Sequence, residues 1–296
     1  MSFDNIPERL TKAVKDIPPE LRAKQIRYLA PAGFVIAEYL HRKIMGPEAE
    51  SFFDYKPNPD GSLSYQYTVR IMLVGETLFL LRSQPGFPEF RRRFEGRDFR
   101  STFFELVAAR MFLRGKFVLH AKPETGIKRD DFDFLAVRPN DSINVEVTAL
   151  TAPTFSINTV DNALDSKRKQ LPDDAPAIIF CIYPESWFSA GPDLVSSELK
   201  RAALKFFSGS KRVNAVVFMG EQHWDGDGTV GALFLTHLPV TNPAARHPIS
   251  SLDFLLNVSN DSPRSVVARN DVLSEMSSSH TSEFFEWVDM LFNEAP

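Results

Sequence analysis

Two short apolar segments in the middle of the chain carry acidic residues. Asp131 and Asp133 lie two residues apart in the sequence DDFDFLAV, and Glu146 lies in the sequence INVEVTAL. Burying one carboxylate beside another costs several kcal/mol unless a cation compensates for the charge. A divalent cation suits oxygen ligands, and Mg²⁺ needs only one or two protein carboxylates. These acids therefore predict a site for Mg²⁺ or Mn²⁺.

Alternation along the two segments predicts which side chains share a face. In the first strand, Phe132 and Phe134 are expected on one face and the two aspartates on the other. In the second strand, Glu146 and Thr148 are expected opposite the flanking valines. The acids of both strands are then expected to converge on one shared site.

The elements that position these acids are predicted from apolar spacing and from helix-ending residues. Residues 101–116 have the spacing of an amphipathic helix closed by Gly115. Three short strands follow, then a polar helix over residues 160–171 that Pro172 stops, then a strand over residues 177–184. This αβββαβ order, extended by one helix and two strands, predicts an α/β fold with a mixed central sheet and helices on its faces.

Composition shifts divide the chain into three predicted regions. Residues 1–97 mix helical and strand-like patterns and are expected to form an N-terminal accessory α+β region. Residues 98–240 contain the α/β core, and residues 241–296 form a loop-rich extension that ends in a helix. The first boundary follows from the junction QPGFPEFRRRFEGRDF, which is rich in proline, glycine and charge.

Composition also predicts a cytoplasmic protein without a membrane partner. The N-terminus has no apolar core of signal-peptide length, and no segment approaches the ~18 uninterrupted apolar residues that span a bilayer. The lone cysteine, Cys181, lies in an apolar run and is expected to be a buried hydrophobe. One cysteine excludes an intrachain disulfide and a zinc–cysteine framework.

The acidic motifs, taken in order, resemble those of the PD-(D/E)XK, or restriction-endonuclease-like, nuclease superfamily. The resemblance rests on a helix with an acid in FFELVAA, an aspartate after a basic turn in GIKRDDFDF, and the strand NVEVT. It covers about residues 101–183 and includes the αβββαβ order. It implies a restriction-endonuclease-like core and Mg²⁺-dependent (or Mn²⁺-dependent) hydrolysis of phosphodiester bonds in nucleic acid. DNA is the expected substrate, while RNA and the formation of a homodimer are left open.

The resemblance also implies roles for individual residues. Glu105 matches the helix acid that supports a metal or orients the site. Asp131 matches the motif aspartate, and Asp133 has a similar context on the same predicted face. Glu146 matches the second carboxylate ligand.

This chain departs from the superfamily pattern at the motif lysine. That lysine is expected two residues after the glutamate, where this chain has Thr148. In some members the following helix supplies the lysine, and here Lys167 and Gln170 are three residues apart on one helical face, with Lys169 less well aligned. The alternative is a catalytically degenerate binding module that has kept the nuclease fold without cleavage activity.

Charge is distributed unevenly along the chain. The formal net charge of -4 argues against a protein that coats nucleic acid indiscriminately. Residues 89–130, however, contain eleven Lys and Arg against six acids. This segment is either a solvated face or a surface that holds a substrate backbone, for which the candidates are Arg110, Arg114, Lys128 and Arg129.

Overall fold

The structure, a computed structural model of the 296-residue chain, describes residues 77–78, 80–96, 99–123, 125–127, 129–225 and 231–256, with the short strands 55–57, 63–65 and 264–266. Most of the predicted N-terminal region and the whole predicted C-terminal helix lie outside these residues. In the described part of the chain, no helix is long and apolar enough to cross a membrane.

Strands β1 (Tyr55–Pro57) and β2 (Leu63–Tyr65) form a separate antiparallel pair. The other elements in chain order are α1 (Phe87–Gly96), α2 (Phe99–Arg114), β3 (Val118–Ala121), β4 (Phe134–Arg138), β5 (Asp141–Ala149), α3 (Ile157–Arg168), β6 (Ala177–Tyr183), a 3-10 helix (Glu185–Ala190), α4 (Pro192–Gly209), β7 (Ala215–Asp225), β8 (Gly231–Thr241), α5 (Asp253–Leu256) and β9 (Arg264–Val266).

Strands β3 to β8 form a mixed sheet in sequence order, and the three-residue β9 lies beside β8. The neighbours β3, β4 and β5 are antiparallel, whereas β6 runs parallel to β5 and β7 runs parallel to β6. The predicted α/β class and mixed central sheet are therefore confirmed. A compact unit of Leu80–Gln222 and Phe234–Val266 includes α1, which the sequence assigns to the N-terminal region.

Aromatic side chains pack α1 and α2 against one face of the sheet. The Phe112 ring of α2 lies with its centroid 5.6 Å from that of Phe134 and 6.2 Å from that of Phe180. Phe90 of α1 contacts Phe134 at 5.8 Å. Each such aromatic pair contributes about 1 kcal/mol beyond its buried area. These contacts fix both helices over β4 and β6.

Gly86, just before α1, allows this helix to approach β3. Its N–H donates to the carbonyl of Leu119 at 3.0 Å. A Cβ at this position would lie 2.2 Å from the backbone nitrogen of Ala121, far inside van der Waals contact. Any larger residue therefore pushes α1 away from the sheet.

Helices α3 and α4 cover the other face with a continuous apolar cluster. Side chains of α3, α4, β6 and β7 share this cluster, which includes Val160, Leu164, Val195, Leu199, Ile179 and Phe218. Cys181 also lies here, as the sequence predicts, and burial raises the pKa of its thiol to about 12. The thiol is consequently a packing group and not a nucleophile.

The end of α2 differs in detail from the prediction. The N–H of Phe117 bonds to the carbonyl of Phe112 at 3.1 Å, and that of Lys116 bonds to Leu113 at 2.8 Å, which is the Schellman pattern. Lys116, with a φ of 59°, takes the left-handed position that was expected of Gly115. The helix ends where predicted, but a different residue closes it.

Candidate functional site

Glu146 lies within β5 and points to the sheet face that α3 and α4 cover. It is opposite Ile179 in the parallel β5–β6 ladder, and Ile179 belongs to the apolar cluster on that face. Its neighbour Val145 is opposite Phe134 and faces α2 instead. Only 2% of Glu146 is exposed. The predicted alternation in this strand is therefore observed, and it buries a carboxylate.

Lys167, in the last turn of α3, reaches this carboxylate. Its Nζ lies 2.5 Å from Oε1 of Glu146, while 25% of the lysine side chain stays exposed. Because α3 contacts both β5 and β6, its inner face lies directly over the glutamate. The structure thus brings together the glutamate and the helix lysine that the sequence suggests.

The second oxygen of Glu146 is left without a protein partner. Oε2 is buried and accepts no hydrogen bond within the described part of the chain. Burial raises the pKa of Glu146 well above its ordinary value, and the nearby Asp133 carboxylate raises it further, while Lys167 acts in the opposite direction. A cation bound at Oε2 would supply the missing partner and would favour the ionised form.

Asp133 directly precedes β4, at the end of the β4–β5 ladder. Its N–H donates to the carbonyl of Val145 at 3.0 Å, and its carbonyl accepts from the N–H of Lys122 at 2.9 Å. Its Oδ2 accepts a 2.7 Å hydrogen bond from the N–H of Val147. The Asp133 carboxylate is thereby fixed against the strand segment that carries Glu146.

Asp131 takes no part in this arrangement. Its Oδ1 accepts a 2.9 Å hydrogen bond from the N–H of Thr125 in an exposed turn. Of the two aspartates proposed for the motif, the structure therefore places Asp133 beside Glu146.

The cause is an irregular backbone ahead of β4. Regular strand geometry begins only at Phe134. Phe134 packs against the aromatic rings of α1 and α2, whereas Phe132 belongs to the cluster under α3 and α4. The prediction that these two phenylalanines share a face is wrong, because alternation holds only within a regular strand.

Glu105 lies on the opposite face of the sheet, where α2 buries it against Arg93 of α1. Arg93 Nη1 also donates to the carbonyl of Asp133 at 2.9 Å, and its Nε donates to Oε1 of Glu89 at 3.1 Å. Burial opposes the charge of Arg93, but attraction by Glu105 and Asp133 outweighs burial and holds the pKa of Arg93 above its ordinary value. Glu105 thus supports Asp133 through Arg93.

Sequence reasoning missed Arg93 and Glu89. Arg93 is the last of three consecutive arginines, and a charge run gives no sign of which member faces inward. Helical spacing contains a signal, because Arg93 follows the buried Phe90 by three residues and Glu89 by four. Its neighbour Arg92 points outward, with 63% of its side chain exposed.

Gln170 lies beyond the end of α3, which stops at Arg168 rather than at the predicted residue 171. Its N–H donates to the carbonyl of Lys167 at 3.1 Å, so it follows that lysine by one turn. Its Oε1 is buried and has no hydrogen-bond partner among the described residues. Lys169 is exposed, which leaves Lys167 as the lysine that α3 contributes to the site.

The basic residues expected to hold a substrate backbone are not equivalent. Arg110 is 4% exposed, so the expectation that it contacts a substrate is wrong. Arg114 and Arg129 are exposed, and Lys128 lies outside the described residues.

Asp133 and Glu146 are the residues of this site that could hold a divalent cation. Across the described residues, no group of three or more His, Cys, Asp or Glu is arranged to hold a metal. Mg²⁺ retains several waters, so two carboxylates are sufficient. The unpartnered oxygen of Glu146 fits such an ion, because a buried carboxylate oxygen without a donor is costly.

Comparison with known proteins identifies no family for this chain. Neither a scan against protein-family models nor a search of curated proteins finds a match. The functional assignment therefore depends on the geometry of Asp133, Glu146 and Lys167.

Proposed function

We propose that the chain is a metal-dependent nuclease that hydrolyses phosphodiester bonds in nucleic acid, with DNA as the expected substrate. The observation that carries this proposal is the environment of Glu146. It is a buried carboxylate with one oxygen on Lys167, the other oxygen unpartnered, and the Asp133 carboxylate nearby. An acidic pair with an adjacent lysine suits the hydrolysis of a phosphate ester.

The order and direction of the elements support a restriction-endonuclease-like core. The segment from α2 to β6 has the αβββαβ order of the superfamily it resembles. Its first three strands are antiparallel, and the fourth is parallel to the third across the α3 crossover. On this proposal, Glu105, Asp133, Glu146 and Lys167 take the positions of the superfamily's functional residues.

Each residue then has a distinct role. Asp133 and Glu146 would hold Mg²⁺ or Mn²⁺, which when bound activates water and neutralises the departing oxygen. Lys167 is partly exposed, so its ammonium group can contact a substrate phosphate and stabilise the charge that develops there. Glu105 acts as a positioning residue, because it pairs with Arg93, which in turn donates to the carbonyl of Asp133.

A nuclease-fold binding module without cleavage activity is the second candidate. Thr148 favours it, since threonine at the usual lysine position cannot supply a positive charge. This candidate requires that the lysine of α3 does not replace the missing one. On this reading the pair of Lys167 and Glu146 only neutralises a buried carboxylate.

Cleavage of plasmid and single-stranded nucleic acid in Mg²⁺ or Mn²⁺ distinguishes the two. Glu146→Gln and Lys167→Met are each expected to lower the cleavage rate by at least about 100-fold. Arg201→Gln is the matched control, because Arg201 is exposed on α4 and, among the described residues, pairs with its neighbour Glu198. A pure wild-type chain that binds nucleic acid but never cleaves it would instead establish the binding module.

A further inference from the structure

Four arginines from separate segments lie close together, and two of them, Arg129 and Arg212, pair with Asp173. Arg129 lies in the loop before β4, Arg168 ends α3, Arg212 precedes β7 and Arg246 follows β8. Arg212 donates to the carbonyl of Arg168 at 3.0 Å, and the N–H of Arg246 donates at 2.6 Å to the carbonyl of Lys211, which directly precedes Arg212. The charges of Arg129, Arg168 and Arg246 all repel that of Arg212. We refer to these four residues as the arginine patch.

The patch has more positive than negative charge. Oδ2 of Asp173 lies 3.1 Å from Nη1 of Arg129 and 3.5 Å from Nη2 of Arg212. Asp165 pairs with Arg168 at 3.2 Å. Burial lowers the pKa of Arg212, and repulsion by the other three arginines adds to this effect against the attraction of Asp173. Among the described residues, Asp173 and Asp165 thus form ion pairs with three of the four arginines.

Part of the patch has a structural role. Arg212 Nη1 donates to the carbonyls of Arg168 and Leu171 at 3.0 and 3.1 Å, and Arg168 donates to the carbonyl of Gly209 at 3.1 Å. These carbonyls lie at or beyond the C-terminal ends of α3 and α4, where unpaired acceptors favour positive charge. These hydrogen bonds explain why Arg168 and Arg212 lie at the ends of α3 and α4.

Arg129 and Arg246 are not explained in this way. Both side chains are exposed. Arg129 also has a φ of 74°, a left-handed backbone that a residue with a long side chain rarely adopts. Strain of this kind is concentrated at functional sites, where the fold holds a side chain in a required direction.

The patch adjoins the candidate site along the chain. Arg168 directly follows Lys167, and Arg129 precedes Asp133 by four residues, which span at most about 14 Å even when fully extended. A nucleic-acid strand at the site would therefore have further phosphates within reach of these arginines.

We propose that the arginine patch binds backbone phosphates of the nucleic-acid strand that flank the bond at Glu146 and Lys167. This inference rests on the proposed function for the identity of the ligand. The planar guanidinium group binds two phosphate oxygens at once. An anion bound at an exposed arginine also relieves the repulsion between that arginine and its arginine neighbours. Such contacts hold the strand in register without reading its sequence.

The test is binding of a fluorescently labelled DNA duplex, measured by anisotropy in EDTA so that no cleavage occurs. The test variant carries Arg129→Gln and Arg246→Gln, which remove the two exposed arginines and spare those that close the helices. A control of equal net charge carries Arg92→Gln and Arg201→Gln, two exposed arginines of α1 and α4.

The test variant is expected to lose at least about tenfold in affinity at low salt. Its plot of log affinity against log salt should be shallower than that of the wild type by about two, one for each lost phosphate contact. The control should keep the wild-type slope. Equal slopes in both variants, or a wild type that binds no duplex, would overturn the proposal.

Cleavage is scored separately, so that the two proposals can fail independently. A chain that binds DNA through the patch but never cleaves it contradicts the nuclease and supports the patch. A chain that cleaves with an unchanged salt slope in the test variant supports the nuclease and contradicts the patch.

Discussion

An ion pair with a buried carboxylate lies on each face of the sheet, Arg93 with Glu105 on one and Lys167 with Glu146 on the other, and these two pairs differ in their remaining hydrogen bonds. Arg93 and Glu105, under α1 and α2, have side chains that are only 2% and 3% exposed. Arg93 also donates to Glu89 and to the carbonyl of Asp133. On the α3 face, Lys167 is partly exposed, and Glu146 Oε2 has no hydrogen-bond partner among the residues that the structure describes.

This difference distinguishes a supporting pair from a ligand-binding pair. A buried ion pair with complete hydrogen bonding gains little from any further group. A buried carboxylate with one free oxygen, beside a cation that water can reach, has capacity for a metal and a substrate. If the proposed function holds, the pair of Arg93 and Glu105 would keep the site in place and the pair of Lys167 and Glu146 would perform its chemistry.

The largest expected effect is on stability, in Arg93→Met. The change removes the Arg93 cation from the buried Glu105 carboxylate and one hydrogen bond from the carbonyl of Asp133, so we expect a loss of about 3–5 kcal/mol in the free energy of unfolding. Urea denaturation measures this loss. The neighbouring Arg92→Met, on the exposed side of α1, should leave the free energy of unfolding nearly unchanged. Similar losses in both variants would contradict a supporting role for Arg93.

Lys167→Met should lower the free energy of unfolding by a smaller amount, about 2 kcal/mol at pH 8, because Glu146 can become neutral by binding a proton. The pKa of Glu146 in the folded protein lies above its ordinary value of 4.5. The ionisation of Glu146 therefore lowers the free energy of unfolding as the pH rises from 4.5 towards the folded-state pKa. Lys167 offsets this cost. The loss in the variant should therefore be small near pH 4.5 and grow with pH.

Unfolding curves of the wild type and Lys167→Met at several pH values measure that trend. A loss of equal size at every pH would show that the lysine acts through packing, and would remove the contrast between the two ion pairs.

Thr148→Lys tests, through the cleavage rate, whether a lysine on β5 can replace Lys167 beside Glu146. Thr148 lies on the same face of β5 as Glu146. A lysine at this position would place an ammonium group in the site, at the motif position of the superfamily that the sequence resembles. Added to Lys167→Met, it is expected to restore cleavage by about tenfold over the single variant. Thr148→Met on the same background is the control, and an equal gain from methionine would exclude a role for the positive charge.

The smallest expected effect is that of Asp131→Asn. Within the described part of the chain its carboxylate bonds to an exposed turn, so stability should change by no more than about 0.5 kcal/mol and the cleavage rate by less than about twofold. A large loss of cleavage would return Asp131 to the site and contradict the assignment of Asp133.

The sequence predicts the parts of the site that regular elements control. Alternation in β5 identifies the face of Glu146, and the helical pattern places Lys167 on an element that crosses this face. It fails where the backbone is irregular, since alternation is lost ahead of Phe134 and the choice between the two aspartates depends on that bend. Arg93 is missed because only tertiary packing selects one arginine of three.

Calorimetric titration with Mn²⁺ measures whether Asp133 and Glu146 bind a metal ion. It compares the wild type with Glu146→Gln, Asp133→Asn and the control Asp131→Asn. We expect the wild type and the control to bind Mn²⁺ with the same affinity. The other two variants should bind it at least about tenfold more weakly, because each of them removes the charge of one ligand. Unchanged binding in Glu146→Gln, or a control as weak as Asp133→Asn, would contradict a metal site at Asp133 and Glu146.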